Sequence, residues 1–224
     1  HTVIHSPGPF NFNALNNEAI RHSSAPFVCL LNNDITVIEP NWLTEMVSQA
    51  TRLPIGVVGA KLLYPHDHVQ HAGVVMGIGG VASEAFKKLH REDDGYIHRA
   101  HLVGNYSAVT GACMMFRKSV WEEVDGFRET EVPNAFGDID FCLRVKETGY
   151  RIIFTPFALL HHHESASRGD DLEPAKVEAF KTAVAYMESN WKSAIDKDPF
   201  YNPNLTLSRE DFTLSFPPRH YSTT

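Results

Sequence analysis

Five apolar residues, Phe27-Val28-Cys29-Leu30-Leu31, run without transition into Asn32-Asn33-Asp34, and this junction limits what the chain can fold into more than any other feature. A short continuous apolar run bounded by turn residues reads as a strand buried on both faces of a parallel sheet, and ligands of such sheets collect at the carboxyl ends of the strands. A carboxylate at that position is costly unless a charge or hydrogen bonds meet it. A divalent metal would meet Asp34, and an Asx turn closing the strand is the simpler alternative.

The flanking segments supply the helices and strands of an α/β domain. Phe12, Leu15, Ala19 and Ile20 recur at helical spacing, with Asn11 or Asn13 as cap. Pro40 opens a second helix through Asn41 to Val47, and Ile55 to Tyr64 reads as a strand. A glycine-rich apolar segment, His71 to Gly80, precedes a polar stretch from Glu84 to His101 that is expected to be exposed. A further strand is predicted over Ala108 to Phe116, then a helix from Ser119 to Val124 that stops at Gly126. Phe136 to Thr148 reads as a helix ending at Gly149, and Pro156 divides two short strands, Arg151 to Phe154 and Ala158 to Leu160. Glu173 to Trp191 repeats apolar residues as a long amphipathic helix. Residues 198–224 hold four prolines and little periodicity, which predicts an extended tail lying on the domain.

Charge and apolar length narrow the partners. With 20 Lys+Arg against 27 Asp+Glu the net charge is −7, so nucleic acid and anionic membrane are not expected as main partners. The longest nearly apolar stretch, Ala72 to Ala82, carries four glycines and falls short of the roughly 20 residues that span a bilayer. Cys29, Cys113 and Cys142 sit inside apolar runs without metal or disulfide spacing, as buried thiols of a cytoplasmic protein would.

Three further segments carry candidate chemistry. In Phe136-Gly137-Asp138-Ile139-Asp140 the two carboxylates diverge by about 200° on a helix, so one can face a reaction centre while the other anchors the helix. Helix capping explains the same residues. In His161-His162-His163 alternate side chains point opposite ways along an extended strand, which rules against a zinc site built from the triplet and leaves one imidazole as a ligand to a metal held elsewhere. Gly77-Ile78-Gly79-Gly80-Val81-Ala82 matches a dinucleotide glycine signature, but the segment after it lacks the second strand and terminal acid that such a site needs.

In order and spacing, a series of words resembles the bacterial family 2 glycosyltransferases of polysaccharide assembly. They are Phe10-Asn11-Phe12-Asn13 with Asn16-Asn17-Glu18-Ala19, Leu31-Asn32-Asn33-Asp34, Trp42-Leu43 and Gly56-Val57-Val58-Gly59-Ala60-Lys61-Leu62. They continue with Gln70-His71-Ala72-Gly73, Val109-Thr110-Gly111-Ala112-Cys113, Asp138-Ile139-Asp140-Phe141-Cys142-Leu143-Arg144, and His162-His163-Glu164-Ser165 with Ser167-Arg168-Gly169. The resemblance covers roughly residues 10 to 170.

It implies a GT-A fold, a partial Rossmann-like mixed sheet flanked by helices, with residues 1–195 as a transferase domain lacking its N-terminal nucleotide-binding strands and 196–224 as the tail. The start at His1 fits a piece of a longer protein. By the same resemblance Asp34 with His162 or His163 binds Mg²⁺ or Mn²⁺, and Asn32 stands where the family has an acid. Asn32, Asn33 and Arg168 touch the donor, and Gly111, Ala112 and Asp140 lie at the acceptor. Gly137-Asp138 keeps the aspartate of a Glu-Asp motif, which makes Asp138 the catalytic base of an inverting transfer from a nucleotide-sugar donor to a glycan or lipid-linked glycan acceptor. The implied setting is cytoplasmic, at the inner face of the membrane if the whole protein associates peripherally. Two other functions use parts of the sequence: a non-catalytic glycan-binding or interaction module, and a nicotinamide-dependent oxidoreductase built on Gly77 to Ala82.

Overall fold

The computed structural model describes residues 1–163 and 174–219. In chain order the elements are α1 (Phe12–His22), β1 (Phe27–Leu31), β2 (Ile35–Val37), α2 (Trp42–Ala50), β3 (Ile55–Leu63), β4 (Val69–His71), β5 (Val74–Met76) and β6 (Ala82–Glu84). A 3₁₀ turn (Tyr96–His101) precedes β7 (Gly104–Tyr106), β8 (Cys113–Arg117), α3 (Lys118–Glu123), α4 (Gly137–Glu147), β9 (Arg151–His162) and α5 (Pro174–Asp196). Among the described residues no helix is long and apolar enough to cross a membrane.

The main sheet runs β1-β8-β3-β9-β2, with β4 paired to β3 and β7 to β9. Only β3 and β9 are parallel; the other pairs are antiparallel. Every residue of β3 is buried, because both faces are covered: Val57 and Leu63 pack into one apolar cluster, and Val58, Ala60 and Leu62 into a second with Met46 and Ala50 of α2. This is the mixed sheet flanked by helices that the sequence leads one to expect.

β1 departs from the expectation. It is paired antiparallel to β8, and Leu31 at its end is exposed, so the apolar run is not a parallel strand covered on both faces. Apolar continuity alone does not distinguish a central strand from one at the side of a sheet. Pro156 does not divide β9 either. The parallel register jumps from Ala60↔Thr155 to Lys61↔Leu159, so residues 156–158 bulge out and the missing proline N–H leaves no broken ladder bond.

Asparagines of α1 fix the segment that leads into α4. Asn11 and Asn13 donate to the carbonyls of Glu129 and Arg128, and Asn13 also to Val132. Asn17 donates to the Phe127 carbonyl and accepts from Phe127 N–H and Trp121 Nε1. Asn13 and Asn17 are buried; satisfying irregular backbone there replaces the ladder bonds a strand would offer.

The stretch from Glu84 to His101 is less exposed than its polarity predicts: Ala85, Phe86 and Ala100 are buried. What covers them is the C-terminal segment. Phe212 stacks on Phe86 with ring centroids 4.2 Å apart, and Tyr201, Leu205 and Phe212 join the main core. Asp198 accepts from Met76 N–H and the Ser107 hydroxyl. Among the described residues after α5, Asp198, Tyr201, Leu205 and Phe212 are buried while Leu214 and Phe216 are exposed, so the segment lies on the domain and inserts a few anchoring side chains into it. The glycine signature forms the turn between β5 and β6, closed by Gly77 N–H donating to Val81 O, and a strand rather than a helix follows it. That geometry offers no helix N-terminus for a dinucleotide pyrophosphate.

Candidate active site

The turn after β1 carries Asp34 alongside the end of β9. Antiparallel pairing sets Ile35 opposite His162, and His163 N–H donates to Asp34 O at 2.9 Å. Asp34 Oδ1 lies 3.1 Å from His162 Nε2, yet takes no well-directed hydrogen bond from the described residues. Asn32 Nδ2 lies 3.2 Å from the same ring nitrogen.

Gln70 on β4 holds the imidazole from behind. Its Nε2 reaches the His162 carbonyl at 3.5 Å, which turns its Oε1 to the ring, 2.7 Å from Nδ1. Nδ1 therefore carries a proton, and in the neutral ring Nε2 accepts from Asn32 Nδ2, with Asp34 Oδ1 beside it but out of hydrogen-bond line. A buried carboxylate oxygen left without a hydrogen bond 3.1 Å from an imidazole nitrogen is a pair that a divalent cation would satisfy, and an acceptor behind the imidazole is the usual support of such a site. Among the described residues no group of three or more His, Cys, Asp or Glu can hold a metal. The oxygen-plus-imidazole pair suits a hard cation that completes its shell with phosphate oxygens and water.

The histidine triplet divides as strand geometry requires. His161 Nε2 meets Asp67 at 2.9 Å, and His163 Nε2 meets the Thr36 hydroxyl at 3.0 Å on the exposed side. His162 alone faces Asp34, so the structure does not bring His163 to the metal pair. Asn33 is exposed in the turn. Arg168 lies outside the described residues.

Asp138 enters from the first turn of α4. Gly111 N–H donates to its Oδ2 at 2.8 Å and Ile139 N–H to its Oδ1 at 2.9 Å. Burial pushes its carboxyl above the ordinary carboxylate range; the Glu84 charge adds to the rise, while the two amides and His71 oppose it. A carboxyl so raised, and still partly open to solvent, has the character of a general base.

Two separate chains of contacts run to these groups. Asn32 N–H donates to Ala112 O at 2.9 Å, and the adjoining Gly111 holds Asp138. On the opposite side Gln70 holds His162, and its neighbour His71 bonds Glu84, whose charge Asp138 senses. Backbone pairing thus carries Asn32, two residues before Asp34, to the neighbour of the Gly111 that holds Asp138, although more than a hundred positions separate Asp34 from Asp138.

Asp140 is committed to other partners. Fully buried, it accepts from Arg144 Nε at 2.8 Å, Tyr186 Oη at 3.0 Å and Trp191 Nε1 at 2.9 Å. No part of it remains for an acceptor, and it is the anchoring member of the two carboxylates. Sequence reasoning assigned no role to Gln70, His71 or Glu84; the signal available was a Gln-His pair beside a long apolar segment, where polar side chains are rarely buried without purpose.

A family model described as "Glycosyl transferase family group 2" matches residues 31–184. The uncharacterized protein y4gI of Sinorhizobium fredii is 48% identical over 215 residues, covering 96% of this chain. The O-antigen biosynthesis protein RfbC of Myxococcus xanthus is 40% identical over 210 residues, covering 92% of this chain. The chain spans 24% and 16% of the length of these two relatives. Among solved structures, GalNAc-T7 with UDP, GalNAc and Mn²⁺ superimposes with a TM-score of 0.54 at 9% identity, over 87% of this chain and 46% of that one. At that identity the likeness concerns the fold, which is GT-A.

Proposed function

The chain belongs to glycosyl transferase family group 2, and from that premise we propose that the whole protein transfers a sugar from a nucleotide-sugar donor to a hydroxyl of a glycan or lipid-linked glycan, with inversion at the anomeric carbon. Asp138 takes the proton of the attacking hydroxyl. Gly111 N–H steadies the carboxylate that does so, and the raised carboxyl of Asp138 retains the proton better than an ordinary aspartate. Asp34 and His162, with Asn32 beside them and Gln70 behind, would hold Mg²⁺ or Mn²⁺. When bound, the cation supplies positive charge to the departing nucleoside diphosphate. Gly111 and Ala112 form the floor on which the acceptor rests.

The observation that carries this reading is the approach of Asp34 to His162, with Asn32 beside them bonded to Ala112 next to the Gly111 that holds Asp138. Two relatives' properties support it without extending to this chain: RfbC is named for O-antigen biosynthesis, and GalNAc-T7 was solved with UDP and Mn²⁺. The test is transfer from a panel of UDP-, GDP- and dTDP-sugars by the whole protein before and after chelation. Transfer is expected to stop with chelator and return with Mn²⁺, and His162→Ala is expected to raise the Mn²⁺ concentration needed by at least roughly tenfold. Transfer indifferent to chelator would remove the metal role, and glycan binding with no transfer would make the chain a binding module.

A further inference from the structure

Phe12 stands beside Asp138, and the chain holds it there without using it as core. A Cβ on Gly111 would lie 3.2 Å from Phe12 Cε1, 3.3 Å from Phe12 Cζ and 3.4 Å from Asp138 Cβ. The phenyl ring and the base therefore flank one point, the space that a side chain at position 111 would fill. Gly111 also gives its N–H to Asp138 Oδ2, so ring, amide and carboxylate converge. The Phe12 side chain is partly exposed, and among the described residues it packs with neither apolar cluster. Phe136, two residues before Asp138, differs: it packs on the main core and tilts against Phe180.

Polar contacts rather than apolar burial set Phe12 in place. Its N–H donates to Asn134 Oδ1 at 2.9 Å, and Asn134 Nδ2 donates to Phe10 O at 3.1 Å. The next residue, Asn13, gives its N–H to Pro133 O and its side-chain amide to Arg128 O and Val132 O. An aromatic ring fixed in this way, with part of its surface left open, receives a ligand at small cost in ordering. Its neighbour indicates which ligand. A general base must come within about 3.2 Å of the hydroxyl it deprotonates, which brings the sugar carrying that hydroxyl to the side of Asp138 where the ring stands. A pyranose presents a face of C–H groups, whose partial positive charge suits the negative face of a phenyl π-system. Resting on the transferase reading above, we propose that Phe12 is the platform of the acceptor subsite: the C–H face of the acceptor sugar stacks on its ring while a hydroxyl of the same sugar meets Asp138.

The test uses the whole protein, the donor panel above, and methyl glycosides of glucose, galactose, mannose and rhamnose as acceptors, which carry no aromatic group of their own. Phe12→Leu keeps apolar bulk and removes the ring. It is expected to raise the acceptor KM roughly three- to tenfold, the scale of an aromatic contact, with the donor KM moving less than about twofold. Phe12→Tyr is expected to restore the acceptor KM. An acceptor KM in Phe12→Leu equal to that of the wild type would overturn the proposal, and so would a rise in the donor KM instead, which would give the ring to the donor. Saturation-transfer NMR on the wild type is independent of whether the variants fold. Irradiation of aromatic protons is expected to label the C–H groups on one face of the bound glycoside more strongly than those on the other; equal labelling of both faces would overturn the stacking. A wild type that hydrolyses donor yet binds none of the glycosides would overturn the platform alone, whereas one that neither transfers nor hydrolyses any donor would overturn the transferase reading.

Discussion

Asp138 is held against its own stability. Its carboxyl stands above the ordinary carboxylate range chiefly through burial, and the groups that face it are Glu84 from β6, His71 from β4, the Gly111 amide and, on its own helix, Cys142. Below the ordinary carboxylate range the group is protonated in both folded and unfolded chains and contributes nothing. As pH rises towards its raised value the unfolded chain loses the proton first, the folded state is disfavoured, and above that value the penalty is constant. Asp138→Asn is therefore expected to raise the thermal midpoint at neutral pH, with the gain vanishing below about pH 4, measured by calorimetry at both pH values. A variant less stable at neutral pH than at acid pH, relative to wild type, would contradict the sign. At this scale the sequence is informative about which residues are unusual and silent about which meet. Asp34 and Asp138 stand out as acids beside apolar runs. That His162 and not His163 faces Asp34 follows from the register of β2 against β9, and that Gln70 supports it follows from β4 packing beside β3; neither pairing is written in local pattern.

Between elements, α4 is placed by two kinds of polar contact. Its start is fixed by α1, where Asn13 leaves no room for a Cβ at position 137. Its first turns are tied to α5 by Asp140, which gathers Arg144, Tyr186 and Trp191 about one carboxylate. Removing that carboxylate would leave the largely buried Arg144 without its ion pair. Asp140→Ala is accordingly expected to cost about 3–5 kcal/mol, read by urea denaturation, while Asp140 makes no contact with the cleft; a loss under about 1 kcal/mol would show that the cluster is dispensable. The helix itself is legible beforehand, since Gly149 with φ 97° marks its end and its apolar residues recur at the right spacing. β9 is not, because Pro156 reads as a break when only local chemistry is considered, and the bulge that accommodates it depends on the partner strand.

For the molecule as a whole, the described segment after α5 lies on the domain and contributes Tyr201, Leu205 and Phe212 to its core. Phe212 lies between Phe86, Tyr96 and Tyr201 and is 3% exposed. Phe212→Ala is expected to cost about 3–5 kcal/mol, read by the same denaturation; a loss within about 0.5 kcal/mol, typical of a surface position, would return the segment to the status of a tail. Proline content and absent periodicity concealed this, because irregular chain can pack as densely as helix when aromatic side chains supply the contact. The same packing closes β5 and β6 against Asp198 and Glu210. The central claim is the proposal that Asp138 serves as base in a transfer for which Asp34 and His162 hold the metal. It is tested most directly by single-turnover sugar transfer in Asp138→Asn of the whole protein with Mn²⁺ present. The account predicts undiminished binding of the Mn²⁺–nucleotide and a transfer rate lower by about 10²- to 10⁴-fold; transfer at the wild-type rate would contradict it.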